Sequence, residues 1–334
     1  MKNKPNLFSD KSKISVIIVN YRSWKHLTNC LNSLVNIVTD TFLMEVIVVD
    51  NFSNDGLFKK YQQKYPTVNF IKNSGNNGFA NGCNLGAKNA TGNYFLFLNP
   101  DTIVSENPIL EMLNLAKKQS DFGIISCEQK NAKGSVEKQV RMFPRLLLLF
   151  GFSRAIFMVM NRSKIEDKFH KSKKIIFPDW VSGSVIFIGK SWFEKVGGWN
   201  EDYWMYSEDI DLCKRISEIG GKIALTRTSY IIHNHGGASR LNSKTSALTK
   251  TEVLISSHVY IQSHFKGISK YFAQIIVVIS LLFSKSILAV LGLLFFFIPK
   301  LKMNYFIGIN LIKYYISAIT FRSWLSVRSM NNNY

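Results

Sequence analysis

The chain is short of acids and short of cysteine. Its 334 residues include 22 Asp and Glu against 42 Lys and Arg, a formal net charge of +20. Such an excess points to an anionic partner: nucleic acid, anionic lipid or a phosphorylated substrate. The four cysteines, Cys30, Cys83, Cys127 and Cys213, form no CxxC pair. That argues against a zinc site and a disulfide framework, and reduced, cytosolic thiols are expected. No GxGxxG follows the first strand-like run and no GxxxxGK[ST] occurs, so neither a dinucleotide fingerprint nor a P-loop is indicated. The N-terminus leads to no signal-peptide run, because Ile14 to Val19 is too short. The catalytic part is therefore expected to stay unexported. No internal repeat or low-complexity linker stands out.

What is present is unevenly placed. From Arg240 to Tyr334 there are 11 Lys and Arg and one acid, Glu252, giving +10, and the remaining +10 is spread over residues 1–239. The tail also holds the most apolar segment, Phe272 to Pro299. A basic and greasy tail suits a membrane surface better than DNA, for which no reading motif is found. Ser284-Lys285-Ser286 divides that segment. A single span would put Lys285 near mid-membrane, at a cost of roughly 2.5–3.5 kcal/mol. A re-entrant hairpin or two interfacial helices would let Lys285 reach the headgroups. Tyr305 to Phe321, interrupted by Asn310 and Lys313, suits an interfacial helix.

The first half alternates strands with helices. Apolar runs at 14–19, 44–49, 68–71, 94–98 and near 122–126 are separated by helical stretches at 24–36, 56–64 and 77–89. This order predicts a mainly parallel sheet covered on both faces. Ligands bind such sheets beyond the C-terminal ends of the strands. Three of these strands run out at Asn20, Asp50 and Asn99-Pro100-Asp101, which gathers polar residues on one rim. Residues 128–180 break the rhythm and read as an insertion that covers the site or touches the membrane. Beyond it, a helix is expected from about Glu208, followed by short strands at 222–225 and 230–233.

Several groups could carry chemistry. Asp50 could accept a hydrogen bond from a nucleotide base or ribose. Asp101 could hold a divalent cation that receives a departing diphosphate, with Asn99 beside it; Asn-Pro-Asp is also ordinary turn chemistry. Gly78, Gly82 and Gly86 share one side of a helix, for packing or for sugar-nucleotide contact. Glu208, Asp209 and Asp211 crowd one helical turn, where they could serve the helix dipole or take a proton from a hydroxyl. Tyr203, Trp204 and Tyr206 beside them suit the apolar face of a sugar. His233 and His235 flank Asn234 before a Gly-Gly pair and could ligate metal or bind diphosphate.

Val16-Ile17-Ile18-Val19-Asn20-Tyr21, Val48-Val49-Asp50-Asn51, Asn77-Gly78-Phe79-Ala80, Leu98-Asn99-Pro100-Asp101, Trp180-Val181-Ser182-Gly183 and Ser207-Glu208-Asp209-Ile210-Asp211-Leu212 occur in that order. Together they resemble the family 2 glycosyltransferases of the GT-A nucleotide-diphospho-sugar transferase fold, especially the bacterial rhamnosyltransferase-like branch. The resemblance implies a GT-A domain over 12–240, with 128–180 as a variable insertion, followed by a membrane-associating helical region over 241–334. It implies that Asn20, Asp50, Asn51, Asn77, Gly78 and Asn99 bind the nucleotide sugar. Trp180, Gly183, Tyr203 and Trp204 would face the acceptor. Asp101, where the family's DxD ends, would hold Mg2+ or Mn2+ with His233 or His235; Asn99 stands in place of the first Asp. Asp209 would be the general base, with Glu208 the lesser choice. The QxxRW motif of processive polymerases is missing, which favours single-sugar addition.

The implied activity is inverting transfer of one sugar, rhamnose from dTDP-rhamnose, onto a polyprenyl-diphosphate-linked saccharide. It would serve O-antigen or capsule assembly at the cytoplasmic face of the bacterial inner membrane. A UDP-sugar donor, or a non-catalytic membrane subunit that keeps the fold, are the alternatives.

Overall fold

A computed structural model describes residues 11–149, 151–234 and 242–332 of the chain. His235 and the Gly-Gly pair after it lie outside the described residues. In chain order the elements are β1 (Lys13–Asn20), α1 (Trp24–Val35), β2 (Leu43–Asp50), α2 (Phe58–Lys64), β3 (Asn69–Lys72), α3 (Phe79–Lys88), β4 (Tyr94–Leu98), β5 (Thr102–Ile103), α4 (Glu106–Lys118) and β6 (Phe122–Lys130). They continue with α5 (Gly151–Met160), α6 (Arg162–Lys168), β7 (Ile175–Ile176), β8 (Val185–Gly189), α7 (Lys190–Lys195), α8 (Glu208–Glu218), β9 (Lys222–His233), α9 (Ser243–His264), α10 (Gly267–Leu294) and α11 (Pro299–Phe321).

Among the described residues one sheet of nine strands forms, in the order β3-β2-β1-β4-β8-β6-β9-β5, with β7 paired to β9. The first four strands run parallel, and β8 joins β4 antiparallel. The β-branched run of β1 explains its central place. Alternate side chains fill both faces: Ile14, Val16 and Ile18 pack with Leu27, Leu31 and Leu34 of α1, while Ile17 and Val19 pack opposite, with Cys83 of α3. The strand order reverses beside β1, so a crevice opens past the ends of β1, β2 and β4, where Asn20 pairs in register with Asp50.

The glycines of α3 are divided between roles. A side chain on Gly82 would meet Val19, and one on Gly86 would collide with Ile17. These two exist so that α3 can lie close on β1, which settles them as packing residues. The region 222–233 is one strand, not two. β9 follows β6 throughout and absorbs a register shift between its Thr226 and Tyr230 pairings.

The tail forms three helices. Ser284-Lys285-Ser286 does not divide the apolar segment: α10 is continuous over 28 residues, and three residues of ordinary helix propensity cost only tenths of a kcal/mol each. At 1.5 Å per residue it spans about 42 Å. It is long and apolar enough to cross a membrane by length and composition. Ile279 and Phe283 are 63% and 72% exposed on it. α10 and α11 form an antiparallel hairpin with small residues at the contact. A side chain on Gly292 would collide with the Leu301 carbonyl, and Gly308 faces Ala289. Close backbone approach of this kind is common between helices in lipid.

Candidate active site

The loops that border the crevice are tied together by buried polar side chains. Asn20, Asp50, Asn51 and Ser53 are each 3% exposed or less. Asp50 Oδ1 accepts from Asn20 Nδ2 at 3.2 Å and from the Ser53 hydroxyl, and Oδ2 accepts from Ser53 N at 3.2 Å. Asn51 Nδ2 donates to Gly78 O and to Asn76 Oδ1, both at 3.0 Å, and its Oδ1 accepts from Asn73 at 2.8 Å. A buried carboxylate must find such donors. In this arrangement Asn20, Asp50 and Asn51 organise the crevice loops. Sequence reasoning had assigned them direct contact. The surfaces those loops do present are different: Phe52 is 40% exposed. Arg22, Phe52 and Asn54 all have positive φ, and backbone strain of this kind clusters at ligand sites. No pattern in the sequence singles out those positions.

Gly78 is held by a separate constraint. Its φ is 92° and ψ 172°, a region only glycine occupies freely. A side chain there would run into the Trp204 carbonyl. Phe79 N donates to that same carbonyl at 3.0 Å, and Trp204 Nε1 donates back to Asn76 O at 2.9 Å. The 73–78 loop and the 201–207 loop therefore clasp each other. Gly78→Ala is expected to cost at least the roughly 1–3 kcal/mol of backbone strain. A denaturant melt should show it, with nucleotide affinity falling in parallel.

This clasp buries Tyr203 and Trp204, two residues expected to face the acceptor. Tyr203 is 1% exposed and packs with Ile255, Val259 and Tyr314 of the tail helices. Trp204 is 6% exposed, and the Arg328 guanidinium lies 5.3 Å from its ring centroid. The apolar area of Tyr203 seats α9 and α11 against the 201–207 loop. The tail grips this loop elsewhere too: Ser256 Oγ donates to Met205 O at 2.8 Å, and Ser329 Oγ to Glu201 O at 3.0 Å. Asp211, fully buried, bridges Arg215 Nε at 2.7 Å and His264 Nε2 at 2.8 Å. It fastens α8 to α9.

Asp209 lies at the start of α8, entered through Tyr206 and Ser207, whose φ values are 72° and 64°. Its Oδ2 accepts from Gly183 N and its Oδ1 from Ile210 N, both at 2.9 Å. Gly183 sits against both Asp209 and the Phe79 ring, so the 180–183 loop, the Gly78 turn and the α8 start converge. Burial pushes the Asp209 carboxyl up, against the pull of the two amides and of Arg141. Burial pushes Glu208 well up, and the Asp209 charge adds to it. Glu208 Oε2 is buried with no hydrogen-bond partner. Two backbone amides favour the anion of Asp209, whereas burial and the Asp209 charge both favour the protonated form of Glu208.

A stability prediction follows. A carboxyl whose folded pKa is raised weakens the fold as pH climbs above its unfolded value, 4.5 for Glu208. Glu208→Gln removes that loss. Its melting temperature should exceed wild type by a margin that grows from pH 5 to pH 8. A margin that shrinks with pH would contradict the assignment.

Asp101 and His233 meet on the far side of Asn99. His233 Nε2 lies 3.2 Å from Asp101 Oδ1, and Nδ1 lies 2.8 Å from Glu137 Oε1. Burial disfavours the imidazolium, but the two carboxylates outweigh it and raise His233 to about 9. The 3.2 Å contact is a hydrogen bond from the imidazolium to the carboxylate, and His233 must give up that proton before it can bind a cation. Among the described residues no group of three or more His, Cys, Asp or Glu side chains forms a metal cage. Asn99 donates its backbone N–H to Ser184 O at 3.0 Å and is half-buried beside them, as is Asn77 in its own loop.

Glu137 and Arg141 were not foreseen. Arg141 Nη2 bonds Glu137 Oε2 at 3.2 Å, and its guanidinium lies 4.6 Å from the Trp180 ring centroid. The insertion therefore threads the two halves of the site together, from Asp101 through His233, Glu137 and Arg141 towards Asp209. Only the long-range fold makes that chain, so no local spacing in the sequence announces it.

Comparison with known proteins agrees with this architecture. The family model for Glycosyl transferase family 2 matches residues 15–231. Rhamnosyltransferase WbbL of Escherichia coli K12 is 28% identical over 228 residues, covering 66% of this chain and 83% of WbbL. The N-acetylglucosaminyl-diphospho-decaprenol L-rhamnosyltransferase of Mycobacterium tuberculosis CDC 1551 is 26% identical over 238 residues, covering 66% of this chain and 76% of that one. A mannosyltransferase of Pyrobaculum calidifontis, solved with GDP-Man and Mn2+, superposes with a TM-score of 0.53 at 14% identity, over 94% of this chain and 89% of that one. The chain belongs to glycosyl transferase family 2, a glycosyltransferase of the GT-A fold with rhamnosyltransferases among its relatives.

Proposed function

We propose that this enzyme moves one sugar, rhamnose from dTDP-rhamnose, onto a polyprenyl-diphosphate-linked saccharide with inversion at the anomeric carbon. The observation that carries the chemistry is the Asp209 carboxylate, fixed by two backbone amides beside the buried Glu208. The sugar nucleotide lies past the ends of β1, β2 and β4, bordered by Phe52, Asn77 and Asn99. Asp209 takes the proton of an acceptor hydroxyl as its oxygen bonds to the anomeric carbon. The bond from that carbon to the diphosphate breaks, and its electron pair leaves on the diphosphate. Attack and departure on opposite faces invert the centre, and no covalent glycosyl-enzyme is needed.

Asp101 and His233 would hold a divalent cation, which when bound neutralises charge on the departing diphosphate. The Mn2+ in the mannosyltransferase structure supports that reading. His235 is left as a second candidate ligand. The rhamnosyl donor is supported by the two rhamnosyltransferase relatives, and the lipid-linked acceptor by the name of the mycobacterial one. We read residues 12–240 as the catalytic domain and the α9–α11 region as its membrane attachment. The length and exposed apolar face of α10 support membrane attachment, and we place the enzyme on the cytoplasmic side of the bacterial inner membrane.

The test is turnover of a sugar-nucleotide panel (dTDP-rhamnose, UDP-glucose, UDP-N-acetylglucosamine and GDP-mannose) with a lipid extract as acceptor. The expected result is a lipid-linked product from dTDP-rhamnose only. Transfer from another donor alone would refute the rhamnosyl assignment. Absence of transfer and of donor hydrolysis from all four would refute the enzymatic reading.

A further inference from the structure

A cavity of about 880 Å³ opens between segment 138–158 and α9, beside the start of α8. Its volume is in the range that holds a whole small ligand. Ser207 and Ile210, on either side of Asp209 and its neighbour Glu208, form its inner end, and Trp180 stands beside them. Its wall carries three cationic side chains, Lys138, Arg141 and Arg154, and no carboxylate. Arg141 is braced by Glu137, so its charge is fixed in direction between the cavity and the base. The rest of the wall is largely apolar and includes Leu148 and Met158 on one side and Val253 and Ile261 on the other. The surface beyond continues in kind: on α5, Val159 and Met160 are 75% and 78% exposed.

We propose that this cavity binds the isoprenyl diphosphate of the acceptor. The proposal rests on the glycosyltransferase reading above and deepens it. The three cations take the diphosphate, a group of higher charge than a phospholipid's single phosphate. The apolar wall takes the first isoprene units, and the remaining chain leaves over α5 towards the membrane. The saccharide then lies between the diphosphate and Asp209. The insertion at 128–180 is thus the acceptor-recognising part of the molecule, and α9 is the opposite wall.

The experiment uses the detergent-solubilised full chain saturated with UDP or dTDP, so that the donor site is occupied. Binding of farnesyl diphosphate, farnesol and inorganic diphosphate is measured by calorimetry. Farnesyl diphosphate should bind at least tenfold more tightly than either part alone. Arg154→Glu and Met158→Glu should each weaken it at least tenfold and leave nucleotide affinity within twofold. Phosphatidylglycerol in mixed micelles should not displace it. Three results would each overturn the proposal: equal affinity for farnesyl diphosphate and inorganic diphosphate, displacement by the phospholipid, or wild-type affinity in both variants with the fold intact by circular dichroism. The donor panel fails separately. Isoprenyl diphosphate binding without any sugar turnover would sink the catalytic reading, and sugar transfer with unaltered binding in the variants would sink only this site.

Discussion

Asp209→Asn is expected to lower kcat by roughly 10²–10⁴-fold, the usual contribution of a positioned general base. Nucleotide affinity should stay within a few-fold of wild type. The side chain keeps its shape, so the convergence of Gly183, Phe79 and α8 persists. One amide now faces an NH2 group in place of an oxygen, at a cost of about 1–3 kcal/mol for a buried unsatisfied donor. A modest drop in melting temperature is therefore part of the prediction. With the neighbouring charge gone, the push that raises Glu208 weakens, because Asp209 is one of its named causes. The comparison with Glu208→Gln decides the assignment. If Glu208 is a neutral neighbour, its amide variant should transfer sugar within about tenfold of wild type while Asp209→Asn does not. If both variants lose activity equally, the pair acts as one unit. If only Glu208→Gln loses it, the roles are reversed.

Much of the architecture was legible because it is written in short-range pattern. The β-branched run Ile14–Val19 could only be a buried strand, and the succession of such runs with amphipathic helices gave the parallel part of the sheet before any coordinates. Asp50 and Asp101 were visible as polar breaks after apolar runs, and Asp209 within an acidic cluster at a helix start, in a chain with few acids to choose from. What could not be read was direction. Tyr203 and Trp204 have the composition of a sugar platform, but their rings turn inward because the tail helices return to cover them, a contact more than 50 residues away in the chain. Asp50 looks like a ligand-binding carboxylate, yet Asn20 and Ser53 fold onto it. Glu137 and Arg141 lie in the stretch with the weakest periodicity, and only the pairing of β6 with β9 brings Glu137 to His233.

Asp101→Ala tests the other half of the site, with two independent readouts. The first is the gain in nucleotide affinity on adding Mn2+. A gain of tenfold, which is about 1.4 kcal/mol, is expected in the wild type and should fall below about twofold in the variant. With Asp101 gone, only His233 remains of the described pair to hold the ion. A gain that survives intact would mean that the cation binds elsewhere. The second readout needs no metal. His233 is raised from 6.5 to about 9 by two carboxylates acting against its burial, so removing Asp101 should bring it down, measurable by NMR titration of the imidazole. A histidine with a raised folded pKa gives stability that is complete below the unfolded value and is lost as pH rises through the folded one. Wild type should therefore lose stability between pH 6.5 and about 9, and Asp101→Ala should lose much of that slope. A flat metal response with an unshifted His233 would contradict the Asp101–His233 contact at 3.2 Å and sink the assignment. A shifted His233 with an unchanged metal response would leave Asp101 as a partner of the histidine only, and the diphosphate would need another source of positive charge.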